Sequence, residues 1–532
     1  MEIELIQAIG IPERAIMNQA VRRPVLALLC VGAGLALAGC PGPSKGPTNE
    51  LGRSAGSAKD DPQPIGAKGL FGDWKQPDAA LVISGQMLGH LEPCGCSEDQ
   101  KGGLGRRHAL VEGLREMGWP VAGVDLGSLI NDPNARAGPE QTKFKLDVAL
   151  KALRMMDYKA VAMSANDMKI GMADAIGQFV QHESPKFVAA NIKPAEGLET
   201  AFARAVRFEL GPVKIGVTAA LDEKGLQALN DPGREELLTI EPIDEALPRV
   251  LAELETDTDV QVLLVQGESE LAPELAGKFP GFEVVVATSP YVEPPDTNPK
   301  VLNDGKTWVL TVGRKGMQVG VLGITLKGED RFRYKDVTLS KHTVGSTEAM
   351  RQLIDVDMQA TLRDAAVVEK YPRRDAPAGA EFVGARVCRQ CHPATYAKWE
   401  ASKHGHAYES LLPRERTFDA ECISCHTTGL DFASGFRSIK ETPFLKGNQC
   451  ENCHGPASHH VTEPDDIDAR KALRLSVKTA ERDVCMRCHD EDNSPKFNFA
   501  TYWGQIDHTG IDHYNTGKVH EGLDLDTIRK SR

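Results

Sequence analysis

The chain has 532 residues, of which 41% are hydrophobic, and a formal net charge of -13. Apolar content of this ordinary level excludes a membrane bundle, and the length fits roughly two to four domains. The acidic balance argues against nucleic acid as a partner, because phosphate binding calls for a basic surface, and suits a basic protein or none.

Val25 to Ala38 is an apolar run preceded by Arg22 and Arg23. It is too short to span a bilayer and has the form of the apolar region of an export signal. Met17 gives that signal an ordinary length. The run ends in Leu37-Ala38-Gly39-Cys40, which resembles a bacterial lipobox; that resemblance implies lipidation of Cys40. Several acyl chains hold a protein stably where one does not. Residues 1–40 are thus expected to place the mature chain, lipid-anchored, on the periplasmic side of a bacterial membrane, the outer in preference to the inner. Residues 41–77 are rich in Gly, Pro, Ser, Lys and Asp with almost no apolar periodicity and read as a flexible tether.

Between Ala79 and Lys327 short apolar runs recur, bounded by Gly, Pro and Asp: Leu81–Ser84, Val121–Leu126, Ala160–Met163, Phe187–Ala190, Lys214–Ala219, Val260–Val265 and Phe282–Ala287. Amphipathic segments such as Arg107–Met117 and Thr142–Met156 separate several of them, which predicts an α/β domain with largely buried strands over 78–345. Trp308–Val312 and Val319–Leu326 flank Gly313-Arg-Lys-Gly316 and read as a hairpin.

Several segments carry a resemblance: Leu91-Glu92-Pro93-Cys94-Gly95-Cys96 with Gly102-Gly103-Leu104-Gly105-Arg106-Arg107, Val124-Asp125-Leu126-Gly127, Tyr158–Met163, and Val188-Ala-Ala-Asn191. In their order and wording residues 79–330 resemble the calcineurin-like metallophosphoesterases, in particular the N-terminal domain of periplasmic 5′-nucleotidases. That resemblance implies two metals held by Asp, His and Asn at strand ends. The ligand positions depart from the family. Gln86-Met87-Leu88 stands for Asp-x-His, Gly127-Ser128 for Gly-Asp, and Ser164-Ala165-Asn166-Asp167 for Gly-Asn-His-Glu; Gln266-Gly267-Glu268 and Thr288-Ser289-Pro290 fall near the late histidines. Two dications need several anionic or imidazole ligands, so the expectation is this fold without its hydrolytic chemistry. Cys94 and Cys96 could form a strained disulfide, bind a metal or remain thiols, and His90 and His108 lie close to them in sequence.

Ser346–Lys370 reads as a helix with Leu353, Val356, Met358 and Leu362 apolar along it, and Pro372–Pro377 breaks it, so 346–380 is a helix and linker. Beyond it CxxCH occurs four times: Cys388–His392, Cys422–His426, Cys450–His454 and Cys485–His489. CxxC pairs also build zinc sites and redox disulfides, but neither needs a histidine directly after the second cysteine. All four pairs have one, and no cysteine beyond residue 380 is left over. Cys388, Cys391, Cys422, Cys425, Cys450, Cys453, Cys485 and Cys488 are therefore expected to attach four haem c groups, with His392, His426, His454 and His489 as proximal iron ligands. Haem attachment outside the cytoplasm agrees with the export signal. Seven further histidines, His404, His406, His459, His460, His508, His513 and His520, are available as sixth ligands.

Here the motifs are Cys388-x-x-Cys391-His392-Pro393 with Trp399-x-x-Ser402-Lys403-His404, Cys425-His426-Thr427-Thr428-Gly429, Gln449-Cys450-Glu451-Asn452-Cys453-His454-Gly455-Pro456 with His460, and Cys488-His489 with Asn493–Phe497 and His508. They resemble the tetrahaem cytochrome c-554 family, from which Ala457 departs where glycine is usual. The resemblance implies His404, His460 and His508 as distal ligands and an open face on the haem of His426. If Pro393–Leu411 is one helix, His404 shares a face with Tyr396 and Glu400 while His406 points roughly 200° away. Between His459 and His460 only the resemblance chooses.

Residues 381–532 are accordingly expected to be a mainly α domain templated by its haems. The fold class is an α/β metallophosphoesterase-like sandwich followed by that multihaem cytochrome c domain. Three functions follow as expectations. The leading one is electron transfer between periplasmic donor and acceptor proteins, the sandwich serving as a docking or structural module. A second is an oxidoreductase acting on nitric oxide or hydroxylamine at the His426 haem. The third is a 5′-nucleotidase or other phosphoesterase with a cytochrome appended.

Overall fold

A computed structural model of the chain describes residues 63–93, 101–199, 201–227, 233–328, 330–512 and 521–530. The export signal, Cys40, Cys94, Cys96, His513 and His520 lie outside the described residues. Residues 64–532 form one compact unit. No helix among the described residues is long and apolar enough to cross a membrane.

Among the described residues fourteen strands appear in chain order: β1 (Ala79–Ser84), β2 (Val121–Asp125), β3 (Tyr158–Ala162), β4 (Lys186–Val188), β5 (Ile192–Pro194), β6 (Ala205–Leu210), β7 (Val213–Leu221), β8 (Leu238–Ile240), β9 (Val260–Gln266), β10 (Val284–Thr288), β11 (Lys300–Leu302), β12 (Thr307–Val312), β13 (Gln318–Ile324) and β14 (Phe332–Thr338). Two six-stranded sheets form, ordered β14-β13-β1-β2-β3-β4 and β11-β12-β10-β9-β7-β6, and β5 pairs with β8 alone. In the first sheet β1 to β4 run parallel and β13 and β14 extend it antiparallel; in the second β7, β9, β10 and β12 run parallel and β6 and β11 close its two flanks antiparallel. Their near-continuous Val, Leu, Ile and Ala runs reflect burial on both faces. One core joins the sheets, with Leu81, Ile83 and Leu322 of the first meeting Val217, Val262, Leu264 and Val286 of the second. A second core packs Leu247, Val250, Leu254 and Leu275 of the helices Ile243–Leu254 and Leu271–Lys278 on the outer face of the second sheet.

Two sequence expectations change here. Trp308–Val312 and Val319–Leu326 do not make a hairpin: β12 pairs with β10 and β11, while β13 pairs with β1 and β14. The turn between them carries the chain from one sheet to the other, because each strand already has a neighbour on both edges. Part of the segment 41–77 is folded. Gly66–Phe71 is a helix whose Ala67, Leu70 and Phe71 are buried, and Phe71 meets Trp74 edge-on at 5.1 Å while Trp74 stacks on Trp119 at 5.9 Å. Three apolar anchors outweigh the surrounding glycines and prolines.

A helical run from Glu348 to Asp364, π-helical over Gln352–Met358, packs on the sandwich helices Leu104–Glu116 and Gly138–Met155. The C-terminal region is built of short helices around small apolar clusters, the larger centred on Phe382, Tyr408, Ile423, Phe436 and Leu445. The helix Phe499–Ile506 buries none of its own residues.

Phe71 is 0% exposed, so Phe71→Ala is expected to cost about 3–5 kcal/mol, read as a lower denaturant midpoint of the sandwich. A residue in a free tether would give no change.

Candidate functional site: the CxxCH cluster and the strand-end loops

The four CxxCH motifs sit on short helical turns: Ala385–Cys388, Ala420–His426, Cys450–His454 and Cys485–Arg487. Asp419 caps the second of these by accepting from the Glu421 amide. The first and third are tied together by a buried carboxylate. Glu451, 2% exposed, accepts from the backbone N–H of Val383, Gly384 and Ala457 at 2.7–3.1 Å. Gln449 accepts from the amide of Ala385 at 2.6 Å. Hydrogen bonds from several amides to one carboxylate are strong, charge-assisted contacts.

Across motifs the thiols meet. Cys388 lies beside Cys450, Cys425 beside Cys488 and Cys453 near Cys485.

The histidines divide in the same way. His404 faces His489 with ring centroids 6.0 Å apart, and His508 faces His454 at 5.7 Å. Imidazole–metal bonds are about 2 Å long, so two rings sharing one ion should have centres about 6 Å apart. His460 lies near His392, and both line a second cavity with Cys388, Cys391, Cys450, Cys453, His454 and His508. Burial pulls the pKa of His392, His404, His454, His460 and His489 down, which favours the neutral, ligating imidazole.

Second partners orient the rings. Nδ1 of His454 is bonded to the Leu473 carbonyl at 2.8 Å, that of His426 to the Ala407 carbonyl at 2.6 Å, that of His508 to the Ile506 carbonyl at 2.9 Å and that of His489 to Ser494 at 3.1 Å. This leaves Nε2 of each to face a metal. His406 and His459 are exposed, and His459 spends Nε2 on the Ala378 carbonyl at 3.0 Å. Among the described residues no ring contact joins His426 to a second histidine.

Pro393–Leu411 is not one helix. The helix ends at Glu400, turns through 401–407 and resumes as a 3-10 helix at Tyr408. Gly405 packs against the Trp399 and Glu400 carbonyls, where a Cβ would come within 2.9 Å, so the chain reverses there. His404 is delivered inward by that turn rather than by a shared helix face.

A cavity of about 1740 Å³ is lined by Cys425, Cys453, Cys485, Cys488, His404, His454, His489, Phe497 and Tyr502. It exceeds the roughly 300–1,000 Å³ of ordinary ligand pockets. Thiols in pairs, neutral imidazoles facing each other and an apolar, aromatic lining fit covalently bound haem.

The strand-end loops of the sandwich converge as well. Gln86, Leu88 and Ser128 adopt left-handed φ values of 50°, 52° and 55°, a conformation that costs non-glycine residues about 1–3 kcal/mol. Gln86 and Leu88 donate their amides to the Gly127 and Ser128 carbonyls. Gln86 Nε2 donates to the Ser289 carbonyl at 3.1 Å, and Gln266 Nε2 to that of Leu126. Asp167 accepts from the amides of Ser128 and Ile130, and burial pushes its pKa up to about 6. Ser164 and Thr288 are likewise hydrogen-bonded within these loops. Among the described residues no group of three or more His, Cys, Asp or Glu is placed to hold a metal ion.

This face of the sandwich meets the C-terminal region. Asp492, three residues past His489, takes Lys315 Nζ at 2.5 and 2.7 Å and His90 Nε2 at 3.4 Å. Gln141 donates to Asp419 at 2.7 Å and accepts from the Ala420 amide at 2.8 Å, and Lys145 pairs with Glu421 at 2.7 Å. Asp355 pairs with Arg416. Sequence reading missed these contacts, since nothing marks Gln141, Lys145 or Lys315 among other surface polar residues.

Residues 387–455 match the family model described as cytochrome c554 and c-prime. Cytochrome c-554 of Nitrosomonas europaea is 33% identical over 129 residues, 21% of this chain and 54% of that protein. The chain thus spans about half the length of this curated relative. The solved structures it is similar to include a 5′-nucleotidase precursor from Thermus thermophilus, at TM-score 0.46 and 16% identity over 56% of this chain and 61% of that one. A calcineurin-like phosphoesterase from Bacillus subtilis reaches TM-score 0.42 at 16% identity over 54% of this chain and 98% of that one. The C-terminal region is cytochrome c-554-like, a likeness that implies covalently bound haem c.

His404→Ala is expected to convert one low-spin iron to high-spin in the electron paramagnetic resonance spectrum, and His460→Ala another, whereas His406→Ala and His459→Ala leave it unchanged. The His90 hydrogen bond, with Lys315 behind it, holds the Asp492 pKa well below the usual carboxylate range. A depressed carboxylate contributes stability above its unfolded pKa near 4, lost as pH falls toward its folded value. Asp492→Asn should therefore lower stability at pH 7 and flatten the acid limb of a denaturation-against-pH curve below about pH 4.

Proposed function

We propose that this chain is an exported, lipid-anchored tetrahaem cytochrome that passes electrons between periplasmic partners, with the sandwich as a structural module for the haem region. The observation that carries this reading is the row of thiol contacts: Cys388 with Cys450, Cys453 with Cys485, and Cys488 with Cys425. They order the attachment sites as first, third, fourth, second. Each haem, when bound, supplies a one-electron ferric/ferrous couple.

The chain's own residues do the rest. The facing imidazoles of His404 and His489, and of His454 and His508, would each hold one iron from both sides, an arrangement that would favour electron transfer over substrate binding. Glu451 and Gln449 hold the first and third sites at fixed spacing. Cys391 is exposed, so the first site is the one nearest the surface and suits a docking partner, for which the net charge of -13 favours a basic face. The Leu37-Ala38-Gly39-Cys40 ending and the preceding apolar run support the anchor and the compartment.

A second reading has its own support. His404, His460 and His508 each lie toward a histidine other than His426, which leaves the second site as the candidate for binding nitric oxide or hydroxylamine. The hydrolase reading has less support, because the side chains of Gln86 and Asp167 at the strand ends are hydrogen-bonded to backbone groups of the neighbouring loops.

Purified mature protein is expected to carry the mass of four haems, to show three low-spin and one high-spin iron, and to lack chelator-sensitive phosphatase activity. A mass short of four haems overturns the tetrahaem reading, and phosphatase activity lost to a chelator revives the hydrolase. A high-spin signal that shifts with nitric oxide moves the reading toward catalysis at His426.

A further inference from the structure

The sandwich lends more than support, because one of its residues reaches the haem cavity. Arg136 lies in the loop between β2 and the helix Gly138–Met155. Its Nη2 donates to the Arg487 carbonyl at 2.5 Å and to Asp490 Oδ2 at 2.7 Å, both in the fourth motif's neighbourhood. It lines the large cavity together with Cys425, Cys488, His404 and His489, and its charge interacts with both Cys425 and Cys488. Pro133, Asn134 and Ala135 of the same loop, with Pro139 in the first turn of the helix, line the same cavity.

The second motif is fixed to the helix that follows. Gln141 binds both the Asp419 carboxylate and the Ala420 amide, and Lys145 binds Glu421, immediately before Cys422. The sandwich therefore grips the second and fourth motifs, whose thiols Cys425 and Cys488 meet, while the first and third are tied by Glu451 instead.

We propose that Arg136 is a positioning and potential-setting residue for the haems of the second and fourth motifs, so that the sandwich tunes the redox couple it is fused to. The inference rests on the tetrahaem reading above. A ferric haem carries one more positive charge than a ferrous haem, so a fixed guanidinium beside it favours the reduced form and raises the potential. Asp490, the carboxylate paired with Arg136, acts in the opposite sense. One guanidinium nitrogen, Nη2, serves a carbonyl and a carboxylate at once.

The test is a spectroelectrochemical titration of full-length, haem-loaded protein in three variants beside the natural chain. Arg136→Gln is expected to lower the potential of one or two haems by about tenfold in the one-electron equilibrium, about 59 mV, and to leave the others in place. Asp490→Asn should raise the same potentials, and Arg136→Lys should hold them close to the natural values. Unchanged potentials in both the Gln and Asn variants, shifts spread evenly over all four haems, or a Lys variant shifted as far as the Gln variant would each overturn the inference. A natural chain that fails to carry four haems or to pass electrons defeats the functional reading itself, whereas unchanged potentials in an electron-transferring Arg136→Gln protein defeat only the role of Arg136.

Discussion

The buried carboxylate of Glu451 sets the geometry on which the haem region depends. Three backbone amides, from Val383, Gly384 and Ala457, point at it, and so the segment entering the first CxxCH motif is clamped to the third. A charge buried this deeply is tolerated only with several donors, and losing one side would leave it unpaired in an apolar surrounding. The clamp brings Cys388 beside Cys450, although the two lie far apart in the chain. Short helices with small apolar clusters of their own could not hold that register by packing.

On the other side of the region the same task falls to the sandwich. Gln141, Lys145, Lys315 and Arg136 engage Asp419, Glu421, Asp492 and Asp490, four acidic residues flanking the second and fourth motifs. The contacts come from one edge of the sandwich, around the carboxyl ends of its parallel strands, where loops leave a rigid sheet. Such loops carry function in α/β proteins because the strands fix their positions while their sequences stay free to vary. Here the left-handed residues Gln86, Leu88 and Ser128 keep those loops tightly folded, and the side chains around them bind one another and the neighbouring region. The strand-end face thus works as an interface. Tyr158, Ser84, Asp125 and Arg107, wholly buried behind it, form a polar network that stiffens its base.

Much of this was legible in the residues themselves. Seven apolar runs became β1, β2, β3, β4, β7, β9 and β10, because a strand buried on both faces has no choice but to be apolar throughout. The CxxCH motifs declare covalent haem through covalent chemistry alone, which needs only local spacing. Strands β6, β11 and β14 were missed since edge strands expose one side and carry charged residues such as Arg207, Lys300 and Arg333. The supposed hairpin at Gly313–Gly316 failed for a related reason: turn residues specify that the chain reverses, but the partner of each strand is decided by which sheet edge is open.

The amino-acid sequence by itself therefore determined the CxxCH motifs, the apolar strands and the order of the two regions, all of which depend on residues close together in the chain. Only the tertiary structure decided which histidine faces which, that His459 is turned away, that the thiols form a row running first, third, fourth, second, and that a sandwich arginine joins the cavity. Those are pairings between residues tens to hundreds of positions apart. Their geometry comes from how sheets, caps and buried carboxylates bring the chain together, and no local spacing encodes it.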